Sequence, residues 1–526
     1  MANRKPHIGK NVIETLTLGM YENPMFIYRE YIQNAADQID IAVEQKLLEN
    51  RSDGLVNITI DSKNRRITIE DNATGISKKK VSKFLSDVAN SEKDVNKRKG
   101  FRGIGRLGGL GYCDKLIFET SSKGENIKSV LTLNASYLRE ILDNVKDTRD
   151  ASSVISAITK MSEAKEDVNS HYFKVHLENV LSDELLKTDK VQEYLSLVAP
   201  IPFAPDPVEE NDPEEDNFSH SKTIASYYKT RGIIFDEYVV KINDSQIFKA
   251  YKDILKFAKG DKKDGHITTI SFFDVTDEND LLLAIGWYGI SDKVNYVIEK
   301  EGNPERGIRI RKSNIAIGDE TSLYPRFKND RTNLRYIGEI HVSATGFIPN
   351  ARRDYFNLNR TLEQFEKSLD IIFNDFESKL PYVASNLHNR LKTIQDTRAK
   401  IVKYKQDLDS DKFQTTEERE QRFLEVQKSL KSAQSATLKI EKIKDDGLKN
   451  TTTKILFKSI VADYKYNISN KELDGLYEKR IIPPLKFKKL SVDQSDLLNE
   501  VVIFLQKELG YQYAAELIKK LQKNYN

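Results

Sequence analysis

The chain has 526 residues, of which 39% are hydrophobic and 31% charged. That balance excludes a disordered chain and suits a globular protein with long solvated helices, in three to four domains at ~150 residues each. Basic residues (83) and acidic residues (80) nearly cancel, to a net +3, which gives no support to bulk nucleic-acid binding but leaves room for a local basic patch.

The lone cysteine, Cys113, rules out an intrachain disulfide framework and argues against a Cys-based zinc site, as in a reducing compartment. The stretch MANRKPHIGKNVIETLTLG lacks the apolar core of a signal peptide. No window reaches the ~18 apolar residues of a membrane-spanning helix. A cytoplasmic protein with no membrane association is expected.

In chain order, residues 13–45 read as helix, broken by a turn at Glu22-Asn23-Pro24. Beyond the turn Phe26, Ile27, Tyr31, Ile32 and Ala35 keep helical spacing. Residues 55–60 and 65–70 alternate apolar and polar around a DSKN turn, which predicts a strand hairpin. Residues 71–76 form a loop, 77–90 a helix, and 114–121, 127–133 and 172–178 further strands. Helix first, then hairpin, then helix and more strands predicts an α+β multidomain chain. Its first domain, 1–205, is an α/β sandwich with helices on one sheet face and not a doubly wound βαβ fold. A proline-rich acidic stretch places a linker at 206–221.

A middle α/β domain is expected over 222–380, with strands at 236–242, 266–273, 281–288, 307–316 and 337–344. From 381 to 446 the chain reads as polar helix. Leu387, Leu391, Ile394, Ile401 and Leu408, then Phe423, Val426, Leu430, Ala433 and Ile440, keep heptad-like spacing on either side of Asp409-Ser410-Asp411. Arg398 and Lys405 interrupt that seam, so an antiparallel helical hairpin and one long coiled coil both fit. Residues 447–526 read as a small helical domain.

Three motifs carry chemistry. EYIQNAADQ (Glu30–Gln38) lies on the second helix, where Glu30, Asn34 and Asp37 share a face. A carboxylate there can orient and deprotonate water, and a carboxamide oxygen can ligate Mg²⁺. DNATGI (Asp71–Ile76) follows a strand. Its aspartate can accept from an exocyclic amine, and Gly75 lets backbone pass close to a flat ring. GFRGIGRLGGLG (Gly100–Gly111) has glycine at half its positions, which brings backbone N–H groups close to phosphate oxygens. Lys97, Arg98, Lys99, Arg102 and Arg106 add positive charge to it or its rim. It is neither a P-loop nor a dinucleotide fingerprint. Singly, each motif has an ordinary explanation: a polar helix face, an Asx turn, a flexible linker.

In this order and spacing they resemble the GHKL superfamily of ATPases: DNA gyrase, the ninety-kilodalton heat-shock chaperones, histidine kinases and MutL. YENPMFIYREYIQNAADQID is most similar to the start of the heat-shock chaperones, and GFRG is similar to the lid of MutL. The resemblance implies ATP and Mg²⁺ as cofactors. Glu30 would activate water and Asn34 would hold Mg²⁺. Asp71 would read the adenine amino group, with Thr120, in LIFETSS, supporting it through water. Gly100, Gly103 and Gly105 would wrap the phosphates, and Asp37, Gly75, Ile76 and Ile104 would complete the contacts. The family has glycine where Ala73 stands, and a methyl there would narrow the adenine pocket.

RGIRIRKSNIAIGD (306–319) and IGEIHVSATGFIPNARRDYF (337–356) are similar to the middle domain of the same chaperones, which sends an arginine to the γ-phosphate. Arg353 matches it, with Asn350 before it, Arg352 beside it and Asn357 in place of a supporting glutamine. Such an arginine neutralises charge on the transferred phosphoryl group. The resemblance thus implies an ATP-hydrolysing switch with a lid at about 77–105, working as a homodimer on a protein client. An alternative is a DNA-linked clamp or antiviral defence effector of MutL or MORC type, with nucleic acid as partner. A third is a nucleotide-sensing scaffold without turnover.

Overall fold

The computed structural model describes residues 8–17, 23–86, 99, 105–205, 218–258, 264–410, 412–413, 415–447, 451–461, 464–473, 476 and 489–525. The chain divides into two compact units, 1–378 and 379–526.

The first unit opens with helices α1 (Asn11–Thr17) and α2 (Phe26–Glu44), then the hairpin β1 (Leu55–Asp61) and β2 (Arg66–Asp71). Alternation sets the hairpin's register. Ile58 faces Ile69 and Ile60 faces Ile67, all buried, while their neighbours turn away from the core. Arg65 closes the turn with a left-handed φ of 49°. Helix α3 (Lys78–Ser86), β3 (Lys115–Ser121) and β4 (Ile127–Asn134) follow. Helix α4 (Ala135–Asp143) is capped by Asn134 and α5 (Ala151–Ile158) by Asp150, each side chain accepting from a backbone N–H of the first turn. Then come β5 (Thr159–Lys165), β6 (Tyr172–Glu178) and α6 (Thr188–Val198). Strand β5 was not expected.

Residues 206–217 lie outside the described residues, but their flanks correct the reading of 206–221 as a spacer between domains. Phe203 stacks on buried Phe218 with ring centroids 5.7 Å apart. The acidic stretch therefore begins and ends at one place, inside a single compact unit. Helix α7 (Ser221–Thr230) follows, and then the chain returns to the first sheet. Strand β7 (Val239–Ile242) pairs parallel to β1, and β8 (Ser245–Gln246) pairs with β7. Among the described residues this sheet runs β5-β4-β3-β6-β2-β1-β7-β8. Its residues 239–246 had been read as part of the middle domain. They belong here because the edge of β1 offers backbone groups that a strand must satisfy.

The second sheet is built from β9 (Ile254–Leu255), β10 (Gly265–Thr276), β11 (Leu282–Ser291), β12 (Gly307–Lys312), β13 (Ile315–Ile317) and β14 (Ile337–Val342). Its order is β13-β12-β14-β11-β10-β9. The single strand expected at 307–316 is a hairpin. Ser313 (φ 49°) and Asn314 (φ 59°) are both left-handed, the requirement of a two-residue primed turn. Helix α8 (Arg360–Asn374) packs across β10 and β11 and buries Leu362, Phe365, Leu369 and Phe373.

A fully buried ion cluster ties the second sheet to the segment after β8 and to the end of α6. Glu339 on β14 pairs with Arg311 on β12, with Lys249 Nζ at 2.9 Å and with His341 Nε2 at 2.8 Å. Burial alone would raise the Glu339 pKa, but Arg311 and Lys249 outweigh it and hold it well below the ordinary value. Burial pushes His341 down to about 4. Its ring is therefore neutral at neutral pH and donates to the carboxylate. Arg311 also donates to the carbonyls of Leu197 (2.6 Å) and Ala199 (3.3 Å) at the end of α6, where a helix favours a cation.

In the second unit α9 (Leu380–Asp409) and α10 (Thr416–Gly447) form the antiparallel hairpin. Thr397 Oγ1 donates to Ser429 O (3.3 Å), and the Tyr404 and Phe423 rings lie 5.7 Å apart, so sequence runs in opposite senses along the seam. Helix α11 (Thr451–Val461) packs on both, and α12 (Val492–Tyr525) ends the chain. Among the described residues no helix is long and apolar enough to cross a membrane.

Candidate nucleotide site

One end of the candidate site is built on α2. Its apolar residues seat the helix on the sheet, and they carry Glu30, Gln33 and Asp37 into burial as well. Buried polar groups need partners. Gln33 and Asp37 find them in the Lys99 backbone, and Glu30 faces Arg353, while the glycine-rich turn Gly105–Gly111 packs against the same helix. A Cβ on Gly105 would sit 2.2 Å from Glu30 Oε2, and one on Gly109 would sit 2.6 Å from the Tyr31 hydroxyl. Glycine is demanded by this close approach. Tyr31 Oη donates to Arg106 O (3.0 Å) and accepts from Gly109 N (3.2 Å), fixing the turn on the helix.

Arg353 Nε lies 3.0 Å from Glu30 Oε1, an ion pair by distance although no hydrogen bond is aligned along it. Its Nη2 donates to Lys99 O (3.2 Å), which also accepts from Gln33 Nε2. Asp37 accepts from Lys99 N (2.7 Å). The Arg353 backbone is left-handed, φ 58°. It is held there by Gly318 N donating to Arg353 O (2.8 Å) and by Asn350 O accepting from Arg353 N (3.2 Å). Non-glycine residues in this region are strained and cluster at functional sites. Asn350 itself bonds Asp354 within the loop, and Arg352 O accepts from Arg29. Asn34 is half-buried on the Glu30 side of α2, and its carboxamide has no hydrogen-bond partner among the described residues. That leaves its oxygen available as a hard donor for Mg²⁺.

The other end of the candidate site lies on the loop after β2. Asp71 is buried and accepts from Ala73 N (3.1 Å). Burial pushes its pKa up to about 7, against the lowering effect of that hydrogen bond, with Glu70 adding a further rise. Gly75 has φ 63°, and a Cβ there would sit 1.8 Å from Ser121 O, so no side chain fits. Thr120 Oγ1 accepts from Ile76 N (2.8 Å) and donates to Tyr172 O (2.9 Å). Its hydroxyl proton is committed to the backbone, so its direct work here is to hold the loop to β3. Thr74 Oγ1 donates to Gln38 Oε1 (2.8 Å), tying the loop to α2. The Ala73 methyl is fully buried and packs in the core, not on an open pocket wall.

Glu30, Gly105 and Arg353 are thus brought together, with Asp37 one residue contact away through Lys99. Asp71, Gly75, Ile76 and Thr120 form a second group, and α2 spans the two. Gly100, Gly103 and Ile104, with Lys97, Arg98 and Arg102, lie outside the described residues, as does most of the expected lid. Among the described residues no three His, Cys, Asp or Glu side chains form a metal cluster. A Mg²⁺ held by one amide oxygen and the nucleotide's own oxygens needs none. Sequence reading missed Tyr31 and Gln33 as site residues, and named Lys99 only as one of five basic residues adding charge to the site or its rim. Tyr31 hides in an apolar helix pattern, and Lys99 hides in a basic run.

Residues 29–166 match the family described as histidine kinase-, DNA gyrase B- and HSP90-like ATPases. The chain is also similar to the chaperone protein HtpG of three bacteria. Identity is 28% over 160 residues for Fusobacterium nucleatum, covering 27% of this chain and 26% of that one. It is 27% over 173 residues for Wigglesworthia glossinidia brevipalpis (29% and 27%) and 25% over 131 residues for Halalkalibacterium halodurans (22% and 21%). The chain spans about a quarter of the length of these relatives. Residues 29–166 therefore belong to the GHKL superfamily of ATPases, on the side of it occupied by the ninety-kilodalton heat-shock chaperones.

Proposed function

We propose that the chain binds ATP with Mg²⁺ and hydrolyses it to ADP and phosphate, as a chaperone-like switch acting on a protein client. The observation that carries this reading is the 3.0 Å approach of Arg353 to Glu30 beside Gly105. Residues from two motifs far apart in the chain meet at one point. Glu30 would orient and deprotonate the attacking water. Arg353 would turn from Glu30 towards the charge that develops on the transferred phosphoryl group. Asn34 would hold Mg²⁺, which supplies charge neutralisation at the phosphates. Asp71 would accept from the adenine amino group while Gly75 leaves room for the ring. The likeness to HtpG supports a homodimer and a lid that closes over the nucleotide. Isothermal calorimetry and phosphate release test the core of the reading. Glu30→Ala should retain ATP affinity and lose turnover, and equal turnover by variant and wild type removes the assignment.

A second reading, a DNA-linked switch, draws on the second unit. There basic residues outnumber acidic ones, the reverse of residues 1–378. Lys392, Lys400, Lys403 and Lys428 are exposed on the helical hairpin, and Lys400 Nζ reaches Ser429 Oγ (3.2 Å), placing Lys400 at the join between the two helices. Filter binding to duplex DNA with a salt titration decides it, since phosphate contacts lose affinity steeply with salt.

A further inference from the structure

We propose that Lys99 is a positioning residue for the hydrolytic pair, the post on which Arg353 is set against the nucleotide helix. The proposal rests on reading Glu30 and Arg353 as that pair. The Lys99 side chain is 5% exposed, and all three of its polar groups are engaged. Its N–H donates to Asp37 Oδ1 (2.7 Å), and its carbonyl accepts from both Gln33 and Arg353. Its ammonium lies 2.7 Å from Asp40 Oδ2 and 3.4 Å from Asp236 Oδ2, over the Tyr238 ring at 5.2 Å.

The two aspartates are themselves held. Arg51 pairs with Asp40 (2.7 Å) and with Asp236 (2.9 Å), and Tyr238 Oη donates to Asp40 (2.8 Å). Burial raises the Asp40 pKa, but Lys99 outweighs it, helped by Tyr238 and Arg51, and the carboxyl ends below its ordinary value. Two cations and two anions thus close a balanced square. Its corners come from α2, from the chain before β1, from the chain before β7 and from the residue before Gly100. Lys99 is the buried corner of the square, with Arg51 on its solvent side, and a buried ammonium is stable only in fixed, complementary geometry. The square therefore fixes the Lys99 backbone, and the Lys99 carbonyl in turn fixes one edge of the Arg353 guanidinium while Nε faces Glu30. Removing the ammonium leaves Asp236 to Arg51, and Asp40 to Arg51 and Tyr238, and loosens the backbone carbonyl that Arg353 uses.

The test uses the full chain with Lys99→Met, Lys99→Arg and Asp236→Asn. Hydrogen exchange over 350–356 reads positioning without requiring turnover. Faster exchange there in Lys99→Met than in wild type, with β11 unchanged, supports the proposal. Unchanged exchange over 350–356 overturns it. So does uniform acceleration with a lowered melting temperature in both Lys99→Met and Asp236→Asn, which marks a merely structural role. In turnover, kcat should fall roughly a hundredfold in Lys99→Met, with affinity for a non-hydrolysable ATP analogue within about threefold of wild type and partial rescue by Lys99→Arg. Wild-type kcat in folded Lys99→Met overturns the proposal. Comparing wild type with Glu30→Ala decides the hydrolytic reading separately. Should that reading fail, the exchange measurement still decides whether Lys99 sets the Arg353 loop.

Discussion

Asp71 holds an ionisable group in the core at a cost that can be measured. Asparagine is its nearest isostere and keeps an oxygen for the Ala73 N–H. In the folded protein the carboxyl titrates at about 7, against an ordinary value of 3.8. The folded pKa is raised, so the stabilising contribution is fully present below about pH 4 and is lost as pH rises through 7. At pH 5 the folded chain retains nearly one proton that the unfolded chain has released, and by pH 7 about half of one. At about 1.4 kcal/mol per proton and pH unit, wild type should lose about 2.3 kcal/mol over that range relative to Asp71→Asn. Scanning calorimetry of both proteins at pH 5 and pH 7 reads this as a double difference, in which other titrating groups cancel. The variant should gain a few degrees on wild type at pH 7, while its affinity for ATP falls. Parallel pH dependences in the two proteins would refute the assignment of a raised pKa to Asp71.

Three further substitutions probe the rest of the unit. Gly105→Ala places a methyl on Glu30 Oε2, so turnover should fall while nucleotide affinity, measured by calorimetry, stays close to wild type. Arg353→Ala removes the cation facing Glu30, and single-turnover kinetics should show a rate lower on the order of a hundredfold. Glu339→Ala strands Arg311 and Lys249 in the core and should cost about 3–5 kcal/mol in urea unfolding.

Much of the architecture could be read directly from residue patterns. Helix α2 follows from the helical spacing of its apolar residues, although its first two turns are buried all round, and the β1–β2 hairpin from alternation, because one of its faces is buried and the other is not. Strand β5 escaped because nearly every residue of TKMSEAK is exposed, so no alternation marks it. The β12–β13 hairpin reads as one strand because apolar residues flank its Ser313-Asn314 turn without a glycine. The place of β7 beside β1 depends on a pairing across almost the whole first unit, which local pattern does not encode. In the site, Glu30, Asn34 and Asp71 stand out because three motifs fall in one order and spacing, each of which singly has an ordinary explanation. Lys99 does not, since nothing in a Lys-Arg-Lys run says which ammonium turns inward. Its partners Asp40 and Asp236 are assembled only by the fold.

The stacking of Phe203 on Phe218 holds the two ends of the acidic stretch together. The length of that stretch can therefore vary at small entropic cost, and a second module could be spliced into it while the sheets on either side keep their registration. A chain severed there would still be held as one body by β7 against β1 and by Arg311 against the end of α6.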